Sequence, residues 1–329
     1  MGFSDYQMLC ASSIAYEINN GIFIPPTSGA AYEEYRALGV VLDVKAIQFG
    51  EAVCLLLETE QGIIIAFRGT ISHEKLDCPM LDDWLTNLQF NFTHWEGNVE
   101  VHSGFAFELH TIFDEINSTI KNWGTTKKLY ITGHSQGGGV AVLAAYKLKE
   151  IAYDVEKVVV FAAPSAGGKS FMERYNNDLG LESKTTRYQH AGDIVPMLPP
   201  DMGSVPTTQS AIVQNIIEVL IEAITKANYI KDASNVDDSC ILFGLRSFEM
   251  LLRIFKSIKT GTASTDIKAA ISYYSVGRIK FIEFNNKIEP QISYFSQVLN
   301  LLAVFLEGKG GSFGDCHSLR IGYAPALKK

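Results

Sequence analysis

Apolar residues recur along this chain in two rhythms. Asp5 to Ile18 carries Met8, Leu9, Ile14 and Ile18 at helical spacing, and Gly21 and Pro25-Pro26 close that stretch. Ala31 to Leu38 predicts a second short helix. The rhythm then shortens. Val40 to Phe49, Ala52 to Thr59 and Ile63 to Phe67 predict strands, with Glu60-Gln61-Gly62 as a hairpin turn. Asp82 to Phe90 predicts a short helix, with acids at its N-terminus and Trp84, Leu85 and Leu88 on a greasy face. Gly104 to Trp123 follows as a longer helix, with Phe105, Leu109, Ile112, Phe113 and Ile116 at core spacing. Lys128 to Ile131 is again strand-like, and Val140 to Leu148 helical. Val158 to Phe161 is wholly apolar, as expected of a parallel strand covered on both faces. Lys184 to His190 and Val276 to Phe284 are further strands, Gln291 to Leu306 a helix, and Gly308 to Gly314 a loop.

This alternation predicts an α/β class: a mostly parallel central sheet with helices on both faces. No internal repeat and no clear linker divide the chain, so residues 1–329 read as one domain. A helical insertion at about 207–262 precedes the last strand. There Ala211 to Ile224 is strongly apolar, and Leu242, Leu245, Phe248, Leu252 and Phe255 mark one helix face. Arg246, Arg253, Lys256 and Lys259 lie off that face. Such a basic amphipathic helix either packs on its own domain or touches an anionic lipid surface, a peripheral membrane contact.

Composition narrows the function classes. Lys and Arg number 28 against 36 Asp and Glu, a net charge of −8, with no basic stripe; nucleic acid is not an expected partner. The five cysteines form no pairing pattern, and the start of the chain lacks the look of a signal peptide. Both point to a cytoplasmic location. No apolar run reaches bilayer-spanning length, so no transmembrane segment is expected.

Candidate chemistry centres on Gly133-His134-Ser135-Gln136-Gly137. A Gly-x-Ser-x-Gly turn between strand and helix lifts a serine hydroxyl to the carboxyl end of a sheet. The pattern alone is weak, because Gly310-Gly311-Ser312-Phe313-Gly314 also fits it. Ser312 has no strand before it, whereas Ser135 has both the strand and the helix. A serine needs a base and an orienting acid. Asp193, just past a strand end, and His317 give the order Ser, Asp, His used on hydrolase sheets. Oxyanion donors are expected at the N–H of Gln136 and at Thr70, which ends the strand-like run through Arg68-Gly69. His134 adjoins Ser135, but neighbouring side chains on a strand end point apart; His102 and His190 read as structural, and Cys316 as a buried thiol. No spacing suggests a metal, and no cofactor is expected. Ala163 to Ser170 nearly matches a phosphate-binding loop, but Ala163 replaces its first glycine and Pro164 removes a backbone donor.

Together these stretches resemble the class 3 (fungal triacylglycerol lipase-like) branch of the α/β hydrolases. The resemblance rests on Ala66 to Thr70, Asp83 to Leu88, Val101 to Phe105, Gly133 to Gly138 and Arg187 to Pro200. Tyr274 to Gly277 and Asp315 to Leu319 match more loosely. It implies an α/β-hydrolase fold, with Ser135 as nucleophile, Asp193 as acid, His317 as base and Thr70 and Gln136 as oxyanion donors. It also implies a lid containing Asp83, Trp84, Leu85 and Leu88, which opens at a lipid–water interface. Gln136 stands where the family commonly has Leu. The implied function is hydrolysis of lipid esters, of the triacylglycerol lipase type. Phospholipase A1, a feruloyl or soluble-ester esterase, an acyltransferase and a non-catalytic interaction protein on the same fold are the alternatives.

Overall fold

The computed structural model describes residues 2–69, 91–199, 201, 272–290, 292–293, 296–301 and 312–328. The expected helix at 82–90, the lid residues Asp83, Trp84, Leu85 and Leu88, Thr70 and the 207–262 insertion lie outside the described residues.

The chain opens with α1 (Asp5–Ile14), whose Ser4 side chain accepts from the Gln7 N–H while Gln7 reaches back to the Ser4 N–H. This capping box satisfies two donors at the helix start. A 3-10 turn, Ala15–Glu17, then replaces the last turn of the expected 5–18 helix. Next come α2 (Gly29–Ala37) and the strands β1 (Val41–Phe49), β2 (Ala52–Thr59) and β3 (Gly62–Phe67). A hairpin follows, β4 (Phe92–Trp95) and β5 (Val99–His102), before α3 (Ser103–Trp123). Then come β6 (Leu129–His134), α4 (Gln136–Glu150), β7 (Val155–Phe161), β8 (Gly167–Gly168), α5 (Lys169–Glu173) and β9 (Thr185–His190). The last described elements are β10 (Tyr273–Tyr274), β11 (Arg278–Ile282), β12 (Ile288–Pro290), α6 (Ser312–His317) and α7 (Ala324–Leu327).

Eight strands form the main sheet in the order β1-β2-β3-β6-β7-β9-β11-β12. The five strands from β3 through β11 run parallel, and antiparallel strands flank them on both sides. Side chains alternate between two cores, as the two-residue period of a strand requires. Cys54, Leu56, Ile63, Ile65, Ile131, Val158 and Val160 face the core shared with α3 and α4. Val53, Leu55, Leu57, Ile64, Ala66, Val159 and Phe161 face the core shared with α1 and α7. Burial on both faces explains why these strands read as near-continuous apolar runs. The result is a mostly parallel α/β sheet with helices on both faces.

The hairpin β4–β5 belongs to a second, four-stranded sheet in the order β10-β8-β5-β4. The sequence pattern predicts no strand there, because Asn91 to Val101 mixes polar, aromatic and small residues without clear alternation. The segment resembling a phosphate loop also belongs to this sheet. Gly167 and Gly168 pair with Tyr274 and Tyr273, and Gly167 also pairs with Val101.

Candidate active site

β6 runs between β3 and β7 and ends at His134. Thr132 anchors it, donating to the carbonyl oxygens of Val159 at 2.7 Å and Met8 at 3.2 Å. The chain then turns sharply. Ser135 has φ 56° and ψ −132°, a left-handed conformation that costs a non-glycine residue about 1–3 kcal/mol. The turn is held by the Ser135 N–H donating to the Phe161 carbonyl and the Gly138 N–H to the Ser135 carbonyl, both at 2.9 Å. Close packing dictates glycine at 137. A Cβ there would sit 2.5 Å from the carbonyl oxygen of Phe67 and 2.6 Å from that of Arg68. Gly69 is equally constrained, since a Cβ on it would meet the His134 carbonyl at 2.5 Å and the Ser135 Cβ at 3.0 Å. The end of β3 therefore lies against the serine. Thr70, the next residue, lies outside the described residues. Gln136 is the first residue of α4, so its N–H belongs to the open first turn of that helix.

Beyond β9 the chain turns at Ala191-Gly192, and Asp193 is buried there at 3% exposure. Three groups hold its carboxylate. The Val195 N–H donates to Oδ1 at 3.0 Å, and the Tyr323 hydroxyl donates to Oδ2 at 2.6 Å. His317 Nδ1 lies 2.9 Å from both carboxylate oxygens. A carboxylate only accepts, so Nδ1 carries the proton and Nε2 presents its lone pair. His317 is also buried, and Nε2 has no hydrogen-bond partner among the described residues. Such an atom is what a general base requires.

His317 ends α6, and its carbonyl oxygen is bound by Nε2 of His134 at 2.7 Å. The carbonyl accepts, so His134 Nε2 is protonated and Nδ1 is the acceptor. Tyr16 accordingly donates its hydroxyl to Nδ1 at 2.7 Å. Burial and the nearby His317 push the His134 pKa well below the usual histidine range, so the ring stays neutral. His134 is thus tied to the 3-10 turn after α1 through Tyr16, and its ring centroid lies 4.6 Å from that of His317. Arg320, in the turn after α6, donates to both carboxylate oxygens of Glu34 on α2 at 2.9 and 3.0 Å. The N-terminal helices thus brace the segment that bears His317.

The remaining candidates have structural surroundings. His102 caps α3, its Nδ1 accepting from Gly104 and Phe105. His190 Nδ1 accepts from Gly192. Cys316 is buried, and burial pushes its thiol up to about 12. Ser312, expected in a loop, is the first residue of α6. Sequence reasoning missed Tyr16 and Tyr323. A tyrosine six residues after His317 was the only available signal, and tyrosine is common in cores. No group of metal-binding side chains is present among the described residues. No described helix is long and apolar enough to cross a membrane.

Residues 64–203 match the model of the family described as lipase (class 3). The secreted mono- and diacylglycerol lipase 1 of Fusarium solani is 28% identical over 143 residues, which cover 42% of this chain and 39% of that protein. The phospholipase A1-II 6 of Oryza sativa subsp. japonica is 33% identical over 176 residues, covering 43% and 41% respectively. The crystal structure of a lipase from Rhizopus microsporus var. chinensis aligns at 22% identity and a TM-score of 0.46, covering 60% of this chain and 67% of that one. The chain spans about two fifths of the length of the curated relatives it matches.

These relatives correct the expected cytoplasmic location. The Fusarium solani relative, and another from Penicillium cyclopium, are named as secreted lipases, which points outside the cell. The cysteine argument fails for a physical reason. Cys10, Cys54 and Cys316 are buried free thiols, and burial raises the pKa of each. Thiols held protonated and out of solvent resist oxidation, so they do not require a reducing compartment.

Proposed function

Because the chain belongs to the class 3 lipase family through residues 64–203, we propose that it is a serine carboxylic-ester hydrolase acting on lipid esters of the triacylglycerol type. The observations that carry this reading are a strained Ser135 at the tip of β6 and a buried His317–Asp193 couple whose Nε2 has no partner among the described residues.

In this reading the Ser135 Oγ attacks the ester carbonyl carbon while its proton passes to His317 Nε2. Asp193 holds the ring so that Nε2 faces the reaction, and its negative charge stabilises the imidazolium that forms. The Val195 N–H and the Tyr323 hydroxyl keep the carboxylate in place. The carbonyl oxygen becomes an oxyanion, stabilised by the N–H of Gln136 and by Thr70, with the α4 N-terminus adding its partial positive charge. Collapse of this intermediate breaks the bond to the alcohol oxygen, which takes the proton from Nε2. Water then attacks the acyl-enzyme by the same route, giving the acid and restoring Ser135.

Phospholipase A1 activity is the second reading, favoured by the likeness to the rice protein of that name. A fluorophosphonate probe tests the nucleophile. It should label the wild type and leave Ser135→Ala unlabelled, with turnover of emulsified tributyrin falling at least about 10³-fold. Retained labelling or turnover in Ser135→Ala would overturn the assignment. Comparing rates on triacylglycerols and on phosphatidylcholine separates the two readings.

A further inference from the structure

A carboxyl group is bonded to the residue that follows the candidate nucleophile and forms no ion pair among the described residues. Glu108, on the second turn of α3, accepts a short hydrogen bond from the side-chain amide of Gln136, the residue that follows Ser135. The contact belongs to a tight helix pair. One turn away on the same two helices, a Cβ on Gly139 would lie 2.6 Å from the Phe105 ring. Both Glu108 and Gln136 are half-buried, so each keeps part of its surface exposed.

Among the described residues Glu108 forms no ion pair, and Gln136 is the one side chain bonded to its carboxyl. Among the described residues the charged group that acts on it is Glu51, in the turn between β1 and β2, which repels it. Arg68, at the end of β3, interacts electrostatically with Glu51 and Tyr16. Burial first, and Glu51 next, push the Glu108 pKa up, the Gln136 bond offsetting part of this; the result is about 7. A partly buried carboxyl with a raised pKa one residue removed from a reacting centre is a candidate functional position.

We propose that Glu108 is a specificity-determining residue that selects ester substrates by charge, favouring an alcohol portion that carries a cation over one that carries an anion. The inference rests on Ser135 being the nucleophile, because only then does the Glu108–Gln136 pair border the scissile ester. As a carboxylate, Glu108 attracts a quaternary ammonium and repels a carboxylate or phosphate on the bound alcohol. Once protonated it does neither. The preference therefore strengthens as pH rises through about 7 and fades as pH falls below it.

The test uses three water-soluble butyrate esters, whose alcohol portions carry a quaternary ammonium, no charge or a carboxylate. kcat/KM is measured for each at pH 5.5 and pH 8.5, and the two charged esters are expressed relative to the neutral one. At pH 8.5 the wild type should prefer the cationic ester over the anionic one roughly three- to tenfold beyond its preference at pH 5.5, as expected for charges several ångströms apart at a partly screened site. Glu108→Gln preserves an acceptor for the Gln136 amide and should remove the pH-dependent part of the preference. Glu108→Asp should retain it in part. An unchanged pH-dependent preference in Glu108→Gln, with Ser135→Ala inactive, would overturn the role of Glu108 alone. Activity persisting in Ser135→Ala would instead overturn the site reading beneath it. If Glu108→Gln fails to fold, the wild-type pH 8.5 to pH 5.5 comparison still decides: equal preference at both pH values overturns the proposal.

Discussion

Ser135 and His317 reach the same end of the sheet by different means. Ser135 is held by one uninterrupted stretch of chain, from β6 through the turn into α4, and its contacts are mostly backbone to backbone. His317 is held by side chains drawn from across the sequence: Asp193 on its Nδ1, His134 on its carbonyl, with Tyr16 behind His134 and Tyr323 behind Asp193. The first side depends on the absence of side-chain atoms at a few glycines. The second depends on their presence at a few buried polar residues. A substitution should therefore damage the serine side through strain and the histidine side through lost orientation.

The largest expected effect is on the serine side. Gly137→Ala places a Cβ within 2.6 Å of two backbone carbonyl oxygens where β3 ends, and backbone cannot move aside as a flexible side chain can. Stability should fall by about 3 kcal/mol, and fluorophosphonate labelling of Ser135 should fall with it, because the turn must shift to admit the methyl group. Thermal unfolding and labelling rate measured on the same sample check this. A variant of normal stability that labels at the wild-type rate would show that the turn is looser than its contacts indicate.

Tyr323→Phe tests the histidine side. The hydroxyl donates to a buried, charged acceptor, and its loss leaves Asp193 short of one donor. Hydrogen bonds to charged groups are worth about 1.5–3 kcal/mol, so stability should fall by roughly 2 kcal/mol. Unlike Gly137→Ala, this change should lower kcat about tenfold while leaving KM close to its wild-type value, since the substrate does not touch Tyr323. A loss confined to stability would make Tyr323 a core residue and not a positioning one.

The same contrast explains what was legible in the sequence. The strand, turn and helix around Ser135 are local, so apolar periodicity and glycine spacing reveal them together. Asp193 and His317 stood out because carboxylates and histidines at strand ends and in a fixed order carry chemical meaning. Tyr16 and Tyr323 gave no such signal, because a tyrosine whose ring fills a core and one whose hydroxyl orients an acid look alike in sequence. His134 drew notice only as the neighbour of Ser135; its bond to the His317 carbonyl spans 183 residues and no local pattern encodes it. The β4–β5 hairpin escaped for a related reason. Its four-residue strands are too short to show alternation, and their pairing with β8 and β10 is set by distant chain. Glu108 drew no notice in the sequence, since only the fold brings it to Gln136.

The smallest effect concerns His134, the residue that joins the two sides. Its folded pKa lies below the ordinary value of about 6.5 because burial disfavours the imidazolium. The neutral ring's stabilising contribution is therefore fully present above about pH 6.5 and is lost as pH falls from there through the folded value. The slope from this one group cannot exceed about 1.4 kcal/mol per pH unit, the cost of one proton taken up on unfolding. His190 is also lowered by burial and slopes the same way, whereas the raised Glu108 favours stability at low pH and loses it as pH rises through about 7. Only a difference between variants isolates His134. In His134→Gln the amide can still donate to the His317 carbonyl and accept from Tyr16, but it cannot take up a proton. Denaturant unfolding of wild type and His134→Gln between pH 7.5 and pH 5 should show the wild type losing more stability on the acid side, with the two curves parallel above about pH 6.5. Curves parallel throughout that range would mean that the buried imidazole is not held neutral, and that the link between serine strand and histidine segment tolerates a charge at its centre.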